Sequence, residues 1–188
     1  MKLLFTFLPW FFLTAAFTAA APKREETVFI FENRRLAIAV PEGFTYKSAR
    51  DEQGLVAVQL AAPKDAVTLH LVFIPDAEGE FSGARARKEK MVELFQEYVE
   101  SSVEKAMQFE ELEPRTGAGT FCVFTDAKLV GKTEYPPGEY LHFTTGLKVW
   151  PGALAVFRLF SNDTTSPEYR AAMKVLRESV QERPVPLR

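Results

Sequence analysis

The sequence predicts an α+β domain: a mainly antiparallel sheet flanked by helices on both faces, an α/β/α sandwich. Three features predict it. Residues 153–160 read Ala-Leu-Ala-Val-Phe-Arg-Leu-Phe, apolar on both alternation faces and broken only by Arg158. A strand apolar on both sides is covered on both sides, which places it at the centre of a sheet. Two stretches, 84–109 and 166–182, carry apolar residues at helical spacing. The remaining apolar runs follow one another through short turns, the pattern of antiparallel pairing.

Taken in order, residues 28–31 and 36–40 are short apolar runs around Glu32-Asn33-Arg34 and read as a hairpin. Pro41-Glu42-Gly43 stops the second strand. Residues 55–61 and 67–74 read as the third and fourth strands, the fourth with Val67, Leu69, Leu71 and Phe73 on one face and Thr68, His70, Val72 and Ile74 on the other. The first helix, 84–109, presents Met91, Leu94, Phe95, Tyr98, Val99, Val103, Ala106 and Met107 as one stripe, with Ser82 as an N-cap candidate. Arg85, Arg87, Lys88 and Lys90 at its start oppose the positive helix end, and the sequence alone gives no account of them. Residues 120–130 and 140–149 are strands. In the second, Leu141, Phe143, Leu147 and Val149 are expected inward, and Tyr140, His142, Thr144 and Lys148 outward. Ser166 caps the last helix, 166–182, with Pro167 at its first position and Pro184 barring continuation. No repeat or second domain is visible.

The first twenty residues stand apart from this pattern. Lys2 precedes an uncharged apolar run from 3 to 20 that ends in Thr18-Ala19-Ala20-Ala21. That is the pattern of a secretory signal peptide, with cutting expected after Ala20 and a single domain over 21–188. An uncleaved anchor is the competing reading; the run is near the lower limit of roughly 17–25 residues for a spanning helix, and Pro9 and three threonines weaken it further. Loss of Lys2 takes the formal charge from −2 to −3, a balance that argues against nucleic acid as a partner. Cys122 is the only cysteine, so no internal disulfide forms and no lipid-anchored cysteine follows the signal.

Signatures of catalysis are sparse. There is no phosphate loop, nucleophile elbow or zincin helix. His70 and His142 fall on the mixed faces of their strands and make an incomplete metal set even if they meet. Ser102-Val103-Glu104-Lys105 matches a Ser-x-x-Lys motif, but Ser161-Asn162-Asp163 and Lys132-Thr133-Glu134 resemble its companion elements only loosely. Cys122, between Phe121 and Val123, reads as a buried inert thiol. Asn162-Asp163-Thr164 is a glycosylation pattern, meaningful only in a eukaryote. The loop 131–138, with Lys132, Glu134 and Tyr135 beside Pro136-Pro137, is the most suggestive surface feature. Lys132, Tyr135 and the adjoining His142 are therefore the binding candidates; no catalytic residue, metal or cofactor is expected.

Residues 36–44, Leu-Ala-Ile-Ala-Val-Pro-Glu-Gly-Phe, resemble the strand–Pro–x–Gly–aromatic opening of Mog1/PsbP-like domains, in which Trp is more usual than Phe44. The element order from Val28 to Val180 is similar too. The resemblance implies the same α/β/α sandwich and carries no shared catalytic residues. The function expected is an exported, periplasmic or secreted, non-enzymatic accessory domain that contacts a protein partner in the envelope, with no stable membrane insertion after cleavage. The alternative is a carrier of a small ligand or lipid, with its pocket between sheet and helix. N-terminal sequencing of the exported protein is expected to begin at Ala21; an intact Met1 on a membrane-bound form replaces the signal with an anchor.

Overall fold

The computed structural model of the chain describes residues 24–31 and 34–182. The expected signal segment, the turn residues Glu32 and Asn33, and Pro184 lie outside them. The elements are β1 (Arg24–Phe31), β2 (Arg34–Val40), β3 (Thr45–Arg50), β4 (Val56–Ala61), β5 (Val67–Asp76), α1 (Ala84–Ser101), β6 (Glu110–Glu111), β7 (Ala118–Thr125), β8 (His142–Trp150), β9 (Gly152–Ser161), α2 (Pro167–Glu178) and β10 (Val180–Glu182). Seven strands form one antiparallel sheet in the order β3-β4-β5-β9-β8-β7-β6, so the doubly apolar β9 is indeed its central strand. A second sheet, β1-β2-β10, was not expected. Pro41–Phe44 is the turn between the two sheets: Phe44 N–H donates to Pro41 O at 3.2 Å. Gly43 supplies the φ of +76° that a type II turn requires.

Alternation along each strand sorts the core into two clusters. In the first, Leu69, Leu71 and Phe73 of β5 and Ala155, Phe157 and Leu159 of β9 meet Ile38 and Val40 of β2 and Ala172, Met173 and Leu176 of α2. In the second, Leu154, Leu147, Val149, Cys122 and Phe124 meet Met91 and Phe95 of α1. Phe157 is fully buried, and its ring lies over Gly146 of β8, where a Cβ would come within 2.6 Å of it. The close approach explains a glycine in mid-strand.

The fold of the described residues is thus α+β, with a large antiparallel sheet and two α-helices. The finer expectation, helical cover on both faces, meets a limit. α1 packs on β7 and β8. Beyond them, on the same side, Ala57, His70, Val72 and Arg158 of β4, β5 and β9 are exposed, with Lys47 and Ala49 of β3 alongside.

Several elements depart from the sequence pattern. α1 ends at Ser101, eight residues before the expected end, because Ser102 is extended (φ −86°, ψ 160°) and Val103 N–H turns to Thr125 O at 2.8 Å. Val103 is exposed, and Met107 joins the second cluster from outside the helix. Gly83, not Ser82, is the N-cap. The four basic residues at the helix start all have partners: Arg85 and Lys90 pair along the helix with Glu89 and Glu93, Lys88 lies over the Phe109 ring, and Arg87 is buried, donating to Ser82 O at 2.7 Å, to Thr120 Oγ1 at 2.9 Å and to Glu111 Oε2 at 3.2 Å. Arg87 therefore ties the helix start to β6 and β7. β7 stops at Thr125, and Leu129 is buried from the following turn. Ser166 caps α2 as expected, its Oγ accepting from Tyr169 N–H at 3.1 Å, but α2 ends at Glu178, where Ser179 leads into β10.

The clearest correction is on β8. Thr144 and Lys148, expected outward, are fully buried beneath α2. Thr144 Oγ1 meets Tyr169 Oη at 2.8 Å. Lys148 Nζ donates to Leu176 O at 2.6 Å, Ser179 O at 2.8 Å and Ser179 Oγ at 3.0 Å, and lies 4.5 Å from the centre of the Trp150 ring. The ammonium uses its three donors on the carbonyl end of a helix, where positive charge is favoured.

Burial pulls the Lys148 pKa from 10.5 down to about 7. Between those values the unfolded chain binds more protons than the folded one, so this group makes stability rise with pH. Below about 7 both states hold the proton and the dependence vanishes. Lys148→Met is expected to destabilise the fold by roughly 1–3 kcal/mol for each acceptor left bare. In urea unfolding at pH 6, 7.5 and 9, the gap between wild type and variant should widen upward from about pH 7; a flat gap would mean that Lys148 keeps its proton in the fold.

Candidate functional site

The uncovered part of the large sheet is the first candidate. Lys47, Ala49, Ala57, Gln59, His70 and Val72 line a shallow trough of about 580 Å³. Its floor is small because Ala49 lies opposite Ala57 in the β3–β4 register. At one end the trough shares Gln59 and His70 with a second depression, which Gly138, Tyr140 and Phe160 complete. Tyr140 is held there by its hydroxyl, 3.3 Å from Thr68 Oγ1, and by its ring, 5.6 Å from that of Phe160. Arg158 borders the trough beside His70. Burial, and secondarily the Arg158 charge, lower the His70 pKa.

The loop 131–138 reaches this surface through Gly138 and the following Tyr140. Lys132 is exposed, with its backbone N–H on Leu129 O at 3.2 Å. Tyr135 is half-buried. Neither lines the trough or the depression beside it. His142 is elsewhere: it opposes Ser161 across the β8–β9 ladder, whereas His70 opposes Arg158. Residues 158 and 161 point to opposite faces, so the two histidines lie on opposite sides of the sheet and do not meet.

His142 opens instead into a cleft of about 610 Å³ between α2 and β7, floored by Phe121, Val123 and Met173 and edged by Arg170, Arg177 and Glu110. The ring is oriented from behind. Glu104 Oε2 accepts from Thr125 N–H at 2.8 Å and Glu104 Oε1 from Thr125 Oγ1 at 2.7 Å. Thr125 Oγ1 lies 3.2 Å from His142 Nδ1. The hydroxyl has one proton, given to Glu104, so toward His142 it accepts; Nδ1 carries the ring hydrogen and Nε2 is left as an acceptor. Burial lowers the His142 pKa against the opposing pull of Glu104 and Asp163, which favours the neutral ring. Burial pushes Glu104 up, but the Thr125 donors and the nearby His142 outweigh it and its pKa falls below the usual value. Sequence reading missed Glu104, because a helix continued to 109 puts it on the helix surface. No local signal marks the early stop.

The other motifs have structural explanations. Ser102 is buried, its hydroxyl donating to Val99 O at 3.0 Å and accepting from Lys105 N–H at 3.2 Å. Lys105 Nζ turns away to Glu100 O at 2.6 Å, so the Ser-x-x-Lys match is a helix ending. Asn162 is half-buried and its Oδ1 accepts from Leu141 N–H at 2.8 Å, which ties the end of β9 to the start of β8. Among the described residues no three His, Cys, Asp or Glu are placed to hold a metal ion, and no helix is long and apolar enough to cross a membrane.

Cys122 is fully buried, and burial, with a smaller effect of Glu104, pushes its thiol up to about 12. The thiolate is the reactive form. Cys122 is expected to resist an aromatic disulfide reagent at pH 8 until denaturant is added; prompt reaction of the native protein would show that β7 opens. No protein-family model, curated protein or solved structure matches this chain.

Proposed function

We propose that the chain is an exported, non-enzymatic binding domain that acts through protein–protein contacts in the cell envelope, its partner seated on the uncovered part of the large sheet. The observation that carries this reading is the exposed trough of Ala49, Ala57, Val72 and His70 on a rigid ladder, beside a face that α1 covers. Lys47 and Arg158 at its borders favour an acidic partner segment. The non-enzymatic part rests on the candidates for nucleophile: Cys122 and Ser102 are buried, Ser102 with its hydroxyl on Val99 O, and in the cleft that holds His142 the Thr125 hydroxyl gives its proton to Glu104 rather than to the ring.

Export rests on the Lys2 start, the apolar run and Thr18–Ala21. We also propose a Mog1/PsbP-like sandwich, with α1 as one outer layer and α2 sharing the other with the small sheet. Its support is the strand and Pro-x-Gly-Phe turn at residues 36–44 and the composition of the two core clusters. The carrier reading finds little room beneath α1, and what supports it is the cleft of about 610 Å³ under α2. The cavity beneath α1, among Tyr98, Phe124, Phe143 and Phe160, measures about 190 Å³, below the roughly 300–1,000 Å³ of ligand sites.

The test is a deletion-rescue assay with two variants. Ala57→Glu combined with Val72→Glu changes exposed side chains and should alter stability by about 0.5 kcal/mol or less at each site. It is expected to be exported and folded yet fail to rescue, while Lys132→Ala with Tyr135→Ala rescues. The reverse outcome moves the contact to the loop 131–138.

A further inference from the structure

The cleft under α2 has no part in that contact, and its chemistry is specific. We infer that it binds an organic anion with a hydrogen-bond donor close to its carboxylate and an apolar body, a hydroxy acid of medium chain length.

The argument starts from α2. Its inner face is committed to the core through Tyr169, Ala172, Met173 and Leu176. The neighbouring positions Arg170 and Arg177 line the cleft, seven residues apart on one side of the helix. Each guanidinium is anchored by one bond, Arg170 to Thr165 O and Arg177 to Leu112 O at 3.1 Å. An arginine has five N–H donors, so most remain for a ligand, and their planar fork suits a carboxylate. Glu110 at the rim, and Asp163, whose charge acts on both His142 and Arg170, disfavour a second negative charge on the ligand.

The floor of Phe121, Val123 and Met173 is apolar and takes a hydrocarbon chain. What distinguishes the site from a plain fatty-acid cleft is His142. Glu104 fixes the Thr125 hydroxyl, and Thr125 fixes the ring hydrogen on Nδ1. The neutral ring then offers Nε2 as an acceptor, and no described residue bonds it. A carboxylate has no hydrogen to give it, whereas a hydroxyl does. The cleft therefore asks for both groups on one molecule, with the carboxylate on Arg170 and the hydroxyl on His142. These two are the natural pair, since Arg170 is anchored to Thr165 beside Thr164, which lines the cleft with His142.

The experiment is calorimetric titration of the folded protein with 3-hydroxydecanoate, decanoate and decanol, each below its aggregation concentration. Saturable binding of 3-hydroxydecanoate is expected, with decanoate about tenfold weaker for want of one hydrogen bond and decanol without saturation. Arg170→Gln, an exposed position that leaves the fold intact, should weaken both acids about tenfold or more. His142→Phe should bring the two acids to equal affinity without abolishing either. Ala57→Glu on the opposite face should change nothing. The inference is overturned by absence of saturable binding for the hydroxy acid, by equal affinity of the two acids for the wild-type protein, by binding indifferent to Arg170→Gln, or by binding lost with Ala57→Glu.

Discussion

The second layer of this fold hangs on one buried ammonium. Lys148 rises from β8 into the end of α2 and satisfies Leu176 O, Ser179 O and Ser179 Oγ at once. Because the helix must stop where these groups meet the lysine, the chain leaves α2 at Ser179 and is free to pair as β10 with β2. The small sheet is thereby joined to the helix beside it, and both press on β5 and β9. Burying the group as a cation is costly, which is why its pKa falls to about 7, and the three acceptors offset part of that cost.

The α2 cleft follows from the same geometry. With its C-terminal end held over β8 by Lys148, α2 leaves an open cleft between itself and β7. A second constraint closes its far side. α1 stops at Ser101, and the strand-like segment after it lets Glu104 reach Thr125 and set the His142 tautomer. Two early helix stops, one at each helix, thus shape the polar ends of this cleft.

Much of the fold was legible in the sequence because hydrophobic alternation is a strong signal where both faces are buried. β9 was read from it, β4 and β5 from the one buried face that each carries, and the cap of α2 from Ser166-Pro167. β3 was not: in Thr-Tyr-Lys-Ser-Ala-Arg only Tyr46 is even half-buried, so an edge strand carries no pattern to read. β6 and β10 are two and three residues long and exist only through their partners. The outward assignment of Lys148 failed for a related reason, since a lysine reads as solvent-exposed unless its three acceptors are known, and they come from a helix 28 residues and more away. Of the site, His142 was visible as a candidate, but Glu104, Arg170 and Arg177 become its neighbours only through tertiary contacts. Lys132 and Tyr135, chosen from a stiff loop, border neither the trough nor the cleft; the loop contributes Gly138.

The two ends of the large sheet bear on how such a molecule can assemble. At one end β3 presents Lys47 and Arg50 along its outer margin, with Arg50 drawn back to Gly54 O at 2.5 Å. At the other, β6 and the segment 102–104 together cap both ends of β7. Charged or shortened margins discourage backbone templating by a further strand. The large sheet of one copy therefore has little means of extending that of another into a continuous ribbon. Contacts at these margins are left to side chains rather than to backbone pairing.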